Sequence, residues 1–398
     1  WNMSPILLTF VMTIFGTFIT RSGLIQSVHT FDEATLGYYF LGFLFFIIVV
    51  CTAMIVWRLP LLKSKNELDS FLSREASFLF NNLLLLGIGF ATFWGTIFPI
   101  ISEAMRGVKI TVGPPFYNQV NVPIGLALLA LIGIGPIIAW RRATWSNLKK
   151  NFLKPVTIAL VGGAVLFPLL PLSNRSEIYT YIAFILCIFV LSSMLIEFFK
   201  GTMARHDLHE ETAIGALGSL IWHNKRRYGG YIVHIGVVMI YAGIAASQSY
   251  GTHTEKRVKI GDTIEIRDYM LRYEKLAAVQ ATSVKTRIIA QLAVEKDGKR
   301  IWTARPEKEF YKGQNQPVSE VDVRSTLASD LYVILADFSE DESATIKVYH
   351  NPMVKWLWTG GWVIALGTVV CAWPDKLERR RRLQRLKRQQ IVFSPAQE

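Results

Sequence analysis

Eight apolar runs separated by polar connections set the pattern of this chain, at 4–20, 36–57, 78–99, 122–140, 155–171, 178–199, 229–248 and 354–373. A helix needs about 20 apolar residues to cross hydrocarbon, so each run predicts a membrane helix, with the first and fifth at the short edge. Trp57, Trp94, Trp140, Trp358 and Trp373 fall near run ends, as interfacial belts do. Between the last two runs the period changes from helical to alternating. "RVKIGDTIEIRDYMLRYEKL" breaks at Gly261-Asp262 and at Asp268. "TRIIAQLAVEKDGKRIWTARPEKEF" predicts two strands about an Asp297-Gly298 turn, and "DLYVILADF" and "ATIKVYH" continue the pattern. The expected fold class is an α-helical polytopic membrane protein of about eight transmembrane helices, with an outer-face β-rich domain between helices 7 and 8. The expected domains are a membrane domain over 1–248 with helices 1–7, an outer barrel or sandwich over 249–353, helix 8 over 354–373 and a basic tail over 374–398.

Composition agrees. Apolar residues make up 51% and charged residues 18%, and mean hydropathy is +0.32; soluble domains carry about 25% charged residues. Charge orients the spans. The connections after runs 2, 4 and 6, with the tail, hold 22 lysines and arginines, against Arg21, Arg106, Lys109 and Arg175 on the other side. By the positive-inside rule both termini are cytoplasmic and 249–353 lies outside. That segment has 16 acidic and 16 basic side chains, so the net charge of +13 belongs to the cytoplasmic loops and tail. Topology and lipid headgroup contact account for it, rather than nucleic-acid binding. Cys51, Cys187 and Cys371 each sit in an apolar run, and no C-x-x-C pairs them; they read as packing residues. No secretory signal is visible ahead of the first run, and the opening at Trp1 fits a piece that starts mid-protein.

Two histidines carry the chemical question. "RSGLIQSVHTF" leaves the first run through Arg21 and places His29 on the outer side. An imidazole there suits an axial haem ligand, a proton shuttle or a solvated loop residue. His234, in "RRYGGYIVHIGVVMIYAGIAAS", lies within a span. Ionisable groups at that depth face a partner or a cavity; the glycines around it suit a cofactor slot and close helix packing equally. His206 and His209, beside Glu210 and Glu211, suit a metal less than a solvated or capping role. Asn81 and Asn82 are expected as interhelical glue or polar lining, "ITVGPPFYNQVNVP" as an outer loop, and Glu197 as a snorkelling side chain. No P-loop, dinucleotide fingerprint or serine elbow occurs.

The order of "LLTFVMTIFGTFITRSGLIQSVHTF", "SREASFLFNNLLLL", "GTIFPI", "ITVGPPFYNQVNVP", "GIGPIIAWRR", "GGYIVHIGV", "ARPEKEFY" and "NPMVKWLWTGGWVI" resembles that of CcmF-type cytochrome c haem lyases, from about residue 5 to about residue 373. The resemblance implies the haem-attachment component of cytochrome c maturation. Such a component receives haem from a haem chaperone on the outer face and promotes thioether bonds to the C-x-x-C-H thiols of apocytochrome c. His29 matches an axial ligand of the delivered substrate haem, and His234 matches a ligand of a resident haem b. Arg21 is a candidate partner for a propionate, from charge and nearness. Implied partners are the haem chaperone, apocytochrome c, thiol-handling maturation subunits and the lipid membrane. The implied location is the bacterial inner membrane rather than the mitochondrial one. The family's Trp-rich haem-handling segment is not in this sequence, so the chain is expected to be the C-terminal part of a longer protein or to work with that segment as a separate chain. The competing expectation is a non-catalytic membrane scaffold or transporter of the same fold.

Overall fold

The computed structural model describes residues 3–23, 34–62, 68, 70–140, 143–282, 284–313 and 316–374. Eight helices among them are long and apolar enough to cross a membrane. The chain divides into two compact units, Trp1–Gly125 with Trp140–Arg142, and Leu126–Ala139 with Ala143–Glu398. The expected tail lies outside the described residues beyond Pro374.

The first unit holds α1 (Met3–Arg21), α2 (Ala34–Leu62), α3 (Arg74–Arg106) and the start of α4 (Pro114–Ile137). In α1, Thr9, Thr13 and Thr17 each donate a hydroxyl to the carbonyl four residues earlier, at 2.8, 2.9 and 3.0 Å. Hydroxyls in an apolar run satisfy themselves in this way. Helix α3 starts before its apolar run because Ser73 caps it, accepting from the Ala76 N–H at 3.1 Å, with Glu75 in the first turn. Gly107, at φ 67°, ends it in the left-handed conformation. Asn82, expected inside as glue, is exposed, and Asn81 is half-buried. The expected outer loop over 110–123 is corrected. Pro114 and Pro115 open α4, since proline in the first turn lacks only an N–H that has no partner there. That turn sets the Tyr117 ring against Gly95 of α3, where a Cβ would come within 2.8 Å of ring carbons.

The second unit continues with α5 (Trp145–Leu166), which a 3-10 turn extends over Phe167–Leu169, then α6 (Arg175–His209), α7 (Ala213–His223) and α8 (Lys225–Tyr250). Asn174 and Glu177 form a capping box on α6. The sequence pattern did not isolate α7. Its 11 residues, AIGALGSLIWH, are too few to span and lie amid polar neighbours. Leu220 of α7 packs with Tyr228 of α8 against Gly201 of α6.

Ten strands follow: β1 (Thr252–Val258), β2 (Thr263–Ile266), β3 (Tyr269–Thr282), β4 (Lys285–Lys296), β5 (Lys299–Ala304), β6 (Glu307–Tyr311), β7 (Val318–Glu320), β8 (Asp322–Ser325), β9 (Ser329–Phe338) and β10 (Ala344–Pro352). One sheet runs β1-β10-β9-β8; the other runs β2-β3-β4-β6-β7, with β5 also on β4. The turn at Asp297-Gly298 joins β4 to β5, both residues at positive φ, as the sequence required. The sheets meet on Leu271, Leu292, Val294, Val333, Leu335, Ile346 and Val348, all fully buried. The Tyr273 hydroxyl is buried with them and donates to the Glu342 carbonyl at 3.0 Å; burial pushes its pKa up to about 12. Helix α9 (Val354–Ala372) leaves β10 directly. Since β1 follows α8 and pairs antiparallel with β10, with Thr252 opposite His350, the strand pair carries straight on into the α8–α9 helix pair.

Candidate functional site

The site is built on α8, whose faces have different tasks. Gly229, Gly236 and Gly243 recur every seven residues and turn one face to α9. A Cβ on Gly236 would lie 2.6 Å from the Gly360 carbonyl oxygen, and one on Gly367 would lie 2.9 Å from the Gly229 oxygen. The two backbones are therefore in contact, and glycine is required for that approach. A second face meets α6. The Thr180 hydroxyl donates to the Ala245 carbonyl at 3.2 Å, and the Cys187 thiol approaches the Val238 carbonyl at 3.8 Å. All three cysteines are free thiols, and Cys187 is buried.

His234 stands on the third face. At 100° per residue it is roughly 140° around from Gly229. Its Nδ1 is buried and has no hydrogen-bond partner among the described residues. An unmade bond of this kind costs about 1–3 kcal/mol. One turn earlier, Gly230 has nothing within 4 Å of the position a Cβ would take. The Gly229-Gly230 pair thus splits its work: the first glycine closes a helix contact and the second leaves room beside the imidazole.

At the end of α8 away from the sheets, Arg227 bonds the Glu197 carboxylate at 2.5 Å and the Tyr231 hydroxyl at 2.9 Å. Lys200 adds an ion pair to Glu197 at 3.6 Å. Glu197 is therefore ion-paired rather than simply snorkelling. His206 bonds the Glu211 carbonyl through Nδ1, and Glu210 closes α6 at φ 53°. Arg205 grips the Glu211 carboxylate at 2.9 and 3.1 Å, holding its pKa below the usual range. That is the capping role; no group of three or more potential metal ligands occurs among the described residues. His29 lies outside the described residues, and Arg21 is the last residue of α1 in the first unit. The described candidate site is thus that of His234 alone.

Residues 249–352 match the family model of the CcmF C-terminal beta-sandwich. Over those residues the chain carries the sandwich of that family. It is 28% identical over 372 residues to the cytochrome c-type biogenesis protein CcmF of Haemophilus influenzae, covering 93% of this chain and 56% of that protein. It is also 28% identical over 387 residues to CcmF of Pseudomonas aeruginosa, covering 96% of this chain and 56% of that one. A solved structure described as Cytochrome c Heme Lyase CcmF shares the fold, with a TM-score of 0.70 at 24% identity over 94% of this chain and 55% of that chain. The chain spans about half the length of the curated relatives it matches. What this adds to the geometry is an order of elements. CcmF-type likeness covers the membrane helices as well as the sandwich, so α8 and its histidine lie inside the shared region.

Proposed function

We propose that this chain is the haem-attachment component of cytochrome c maturation, and that His234 is an axial ligand of a b-type haem held within the membrane. The observation that carries this is the His234 Nδ1, buried without a partner beside the open Gly230 face. The donor set fits. A haem iron takes one imidazole per face, so a single histidine on a rigid helix suits it where a three-ligand metal cluster would not. The group would supply one-electron chemistry. The chain's own task is to fix the imidazole, and the glycine contacts between α8 and α9 hold that helix in place.

On the outer side, His29 holds the substrate haem by its iron and Arg21 receives a propionate. The thiols of the C-x-x-C-H motif are the nucleophiles, so the protein needs no strong nucleophile of its own. It supplies register between haem and apocytochrome c, and proximity of this kind fails on displacements of roughly 1 Å. The sandwich over 249–353 lies on that same side by the distribution of lysine and arginine, with both termini cytoplasmic and the membrane the bacterial inner one. A haem chaperone delivers the haem, and thiol-handling subunits present the reduced apoprotein. The Trp-rich segment of the CcmF type works with this chain.

The test is holocytochrome c yield on haem-stained gels, with the chain expressed together with that segment in cells lacking their own lyase. His29→Ala is expected to abolish the yield and His234→Ala to reduce it at least tenfold. Normal yield in both variants at limiting haem would contradict the lyase reading and favour a scaffold.

A further inference from the structure

The turn between α7 and α8 meets the end of α9 around a cavity of about 250 Å³. Three consecutive cations, Lys225, Arg226 and Arg227, line it, with His223 and Trp373. Arg227 already serves Glu197. Lys225 is different. It is only 8% exposed, yet its ammonium has neutral neighbours: the Trp222 ring, 3.9 Å from the centroid, and the Pro374 carbonyl at 3.5 Å. No ion pair joins Lys225 to a carboxylate among the described residues. An ammonium so enclosed, with a carbonyl and a ring face as partners, suits an anion in the cavity that it lines. Helix α8 also begins at this wall with no side-chain cap from Asn224, which leaves its positive dipole end available. Trp222 and Trp373 lie 6.3 Å apart beside the cavity, as tryptophans do at headgroup depth.

We propose that this pocket binds a phosphate group, with the ammonium of Lys225 as its central contact. The position at the end of two spanning helices makes an anionic lipid headgroup the source to test first, since basic pockets between helix ends suit such headgroups. The proposal does not depend on the haem reading.

The full chain in neutral detergent would be titrated with cardiolipin, with phosphatidylcholine and with inorganic phosphate, and adducts counted by native mass spectrometry. One saturable cardiolipin is expected per chain. Lys225→Gln should weaken it by about fivefold, which is the effect of roughly 1 kcal/mol per basic residue near the headgroups. Lys225→Arg should retain it. Lys149→Gln is the control, because Lys149 also stacks on a tryptophan, Trp145, but is exposed. If Lys225→Gln does not fold, Arg226→Gln takes its place with the same expected loss. Saturable binding of inorganic phosphate that Lys225→Gln abolishes, without lipid binding, would support the site and assign it a free phosphate. Equal retention of phosphatidylcholine, or an equal loss in Lys149→Gln, would overturn the proposal.

Discussion

A histidine at membrane depth persists where its ring nitrogens are satisfied or put to use. His234 could be picked out in the sequence by residue type and depth alone. What could not be read there is that its Nδ1 has no partner, since that depends on which side chains of neighbouring helices stop short. His350, in β10 of the sandwich, shows the same property. Its Nδ1 is buried without a partner among the described residues, beside the Tyr269 ring at 5.9 Å. Burial first, then the charge of Arg267, lowers its pKa below 6.5; Lys296 acts in the same direction and Asp268 against it. The folded pKa is thus below the unfolded one, so the associated stability is present above pH 6.5 and is lost as pH falls through the depressed value. The thermal midpoint of the sandwich should therefore drop on mild acidification, and His350→Gln should flatten that slope. An unchanged slope in the variant would show that other groups govern it. Among the carboxylates, Glu309 is buried against Lys285 at 2.5 Å and the Tyr311 hydroxyl at 2.8 Å, and the Lys285 bond depresses its pKa. Lys285→Met leaves that carboxylate short of its cation and should destabilise the sheet; the midpoint in denaturant measures this.

At the scale of elements, hydropathy located each spanning helix among the described residues, with both ends of α1 and α9, but not the ends of α3 and α4. Those ends depend on single residues that hydropathy does not weigh, namely the hydroxyl of Ser73 for α3 and the proline pair for α4. The short helix α7 was hidden because 11 residues give too little of an apolar run to stand out from its polar neighbours. Strands were more legible, since the turn residues Asp297 and Gly298 fix where β4 ends and β5 begins. The glycines of α8 were visible, but their separate tasks emerge only with α9 in place. They give a sharp contrast. Gly236→Ala puts a Cβ 2.6 Å from a backbone oxygen of α9, which cannot rotate away, so the helices must part. The expected loss is about 1–3 kcal/mol, as for overpacked cores. Gly230→Ala meets nothing within 4 Å and should leave stability unchanged or raise it by up to about 1 kcal/mol through helix propensity. Thermal unfolding of the two variants in the same detergent checks this, and equal midpoints would refute the glycine seam.

For the whole molecule, the sandwich and the helices follow different rules. The sandwich has its own fully buried core across two sheets and a balanced charge, so residues 249–353 expressed alone should give a β-type circular dichroism spectrum and unfold cooperatively. The helices expose apolar residues outward, and His234 Nδ1 is among the few buried polar atoms in them without a partner among the described residues. The most direct measurement of the proposed haem role is the reduced-minus-oxidised absorbance spectrum, with haem stoichiometry, of the chain co-purified with the Trp-rich segment of a CcmF-type protein. If His234 ligates the proposed b-type haem, His234→Ala loses its bis-imidazole signal, while His29→Ala retains it. An unchanged spectrum and stoichiometry in His234→Ala would contradict the assignment of that histidine as an iron ligand.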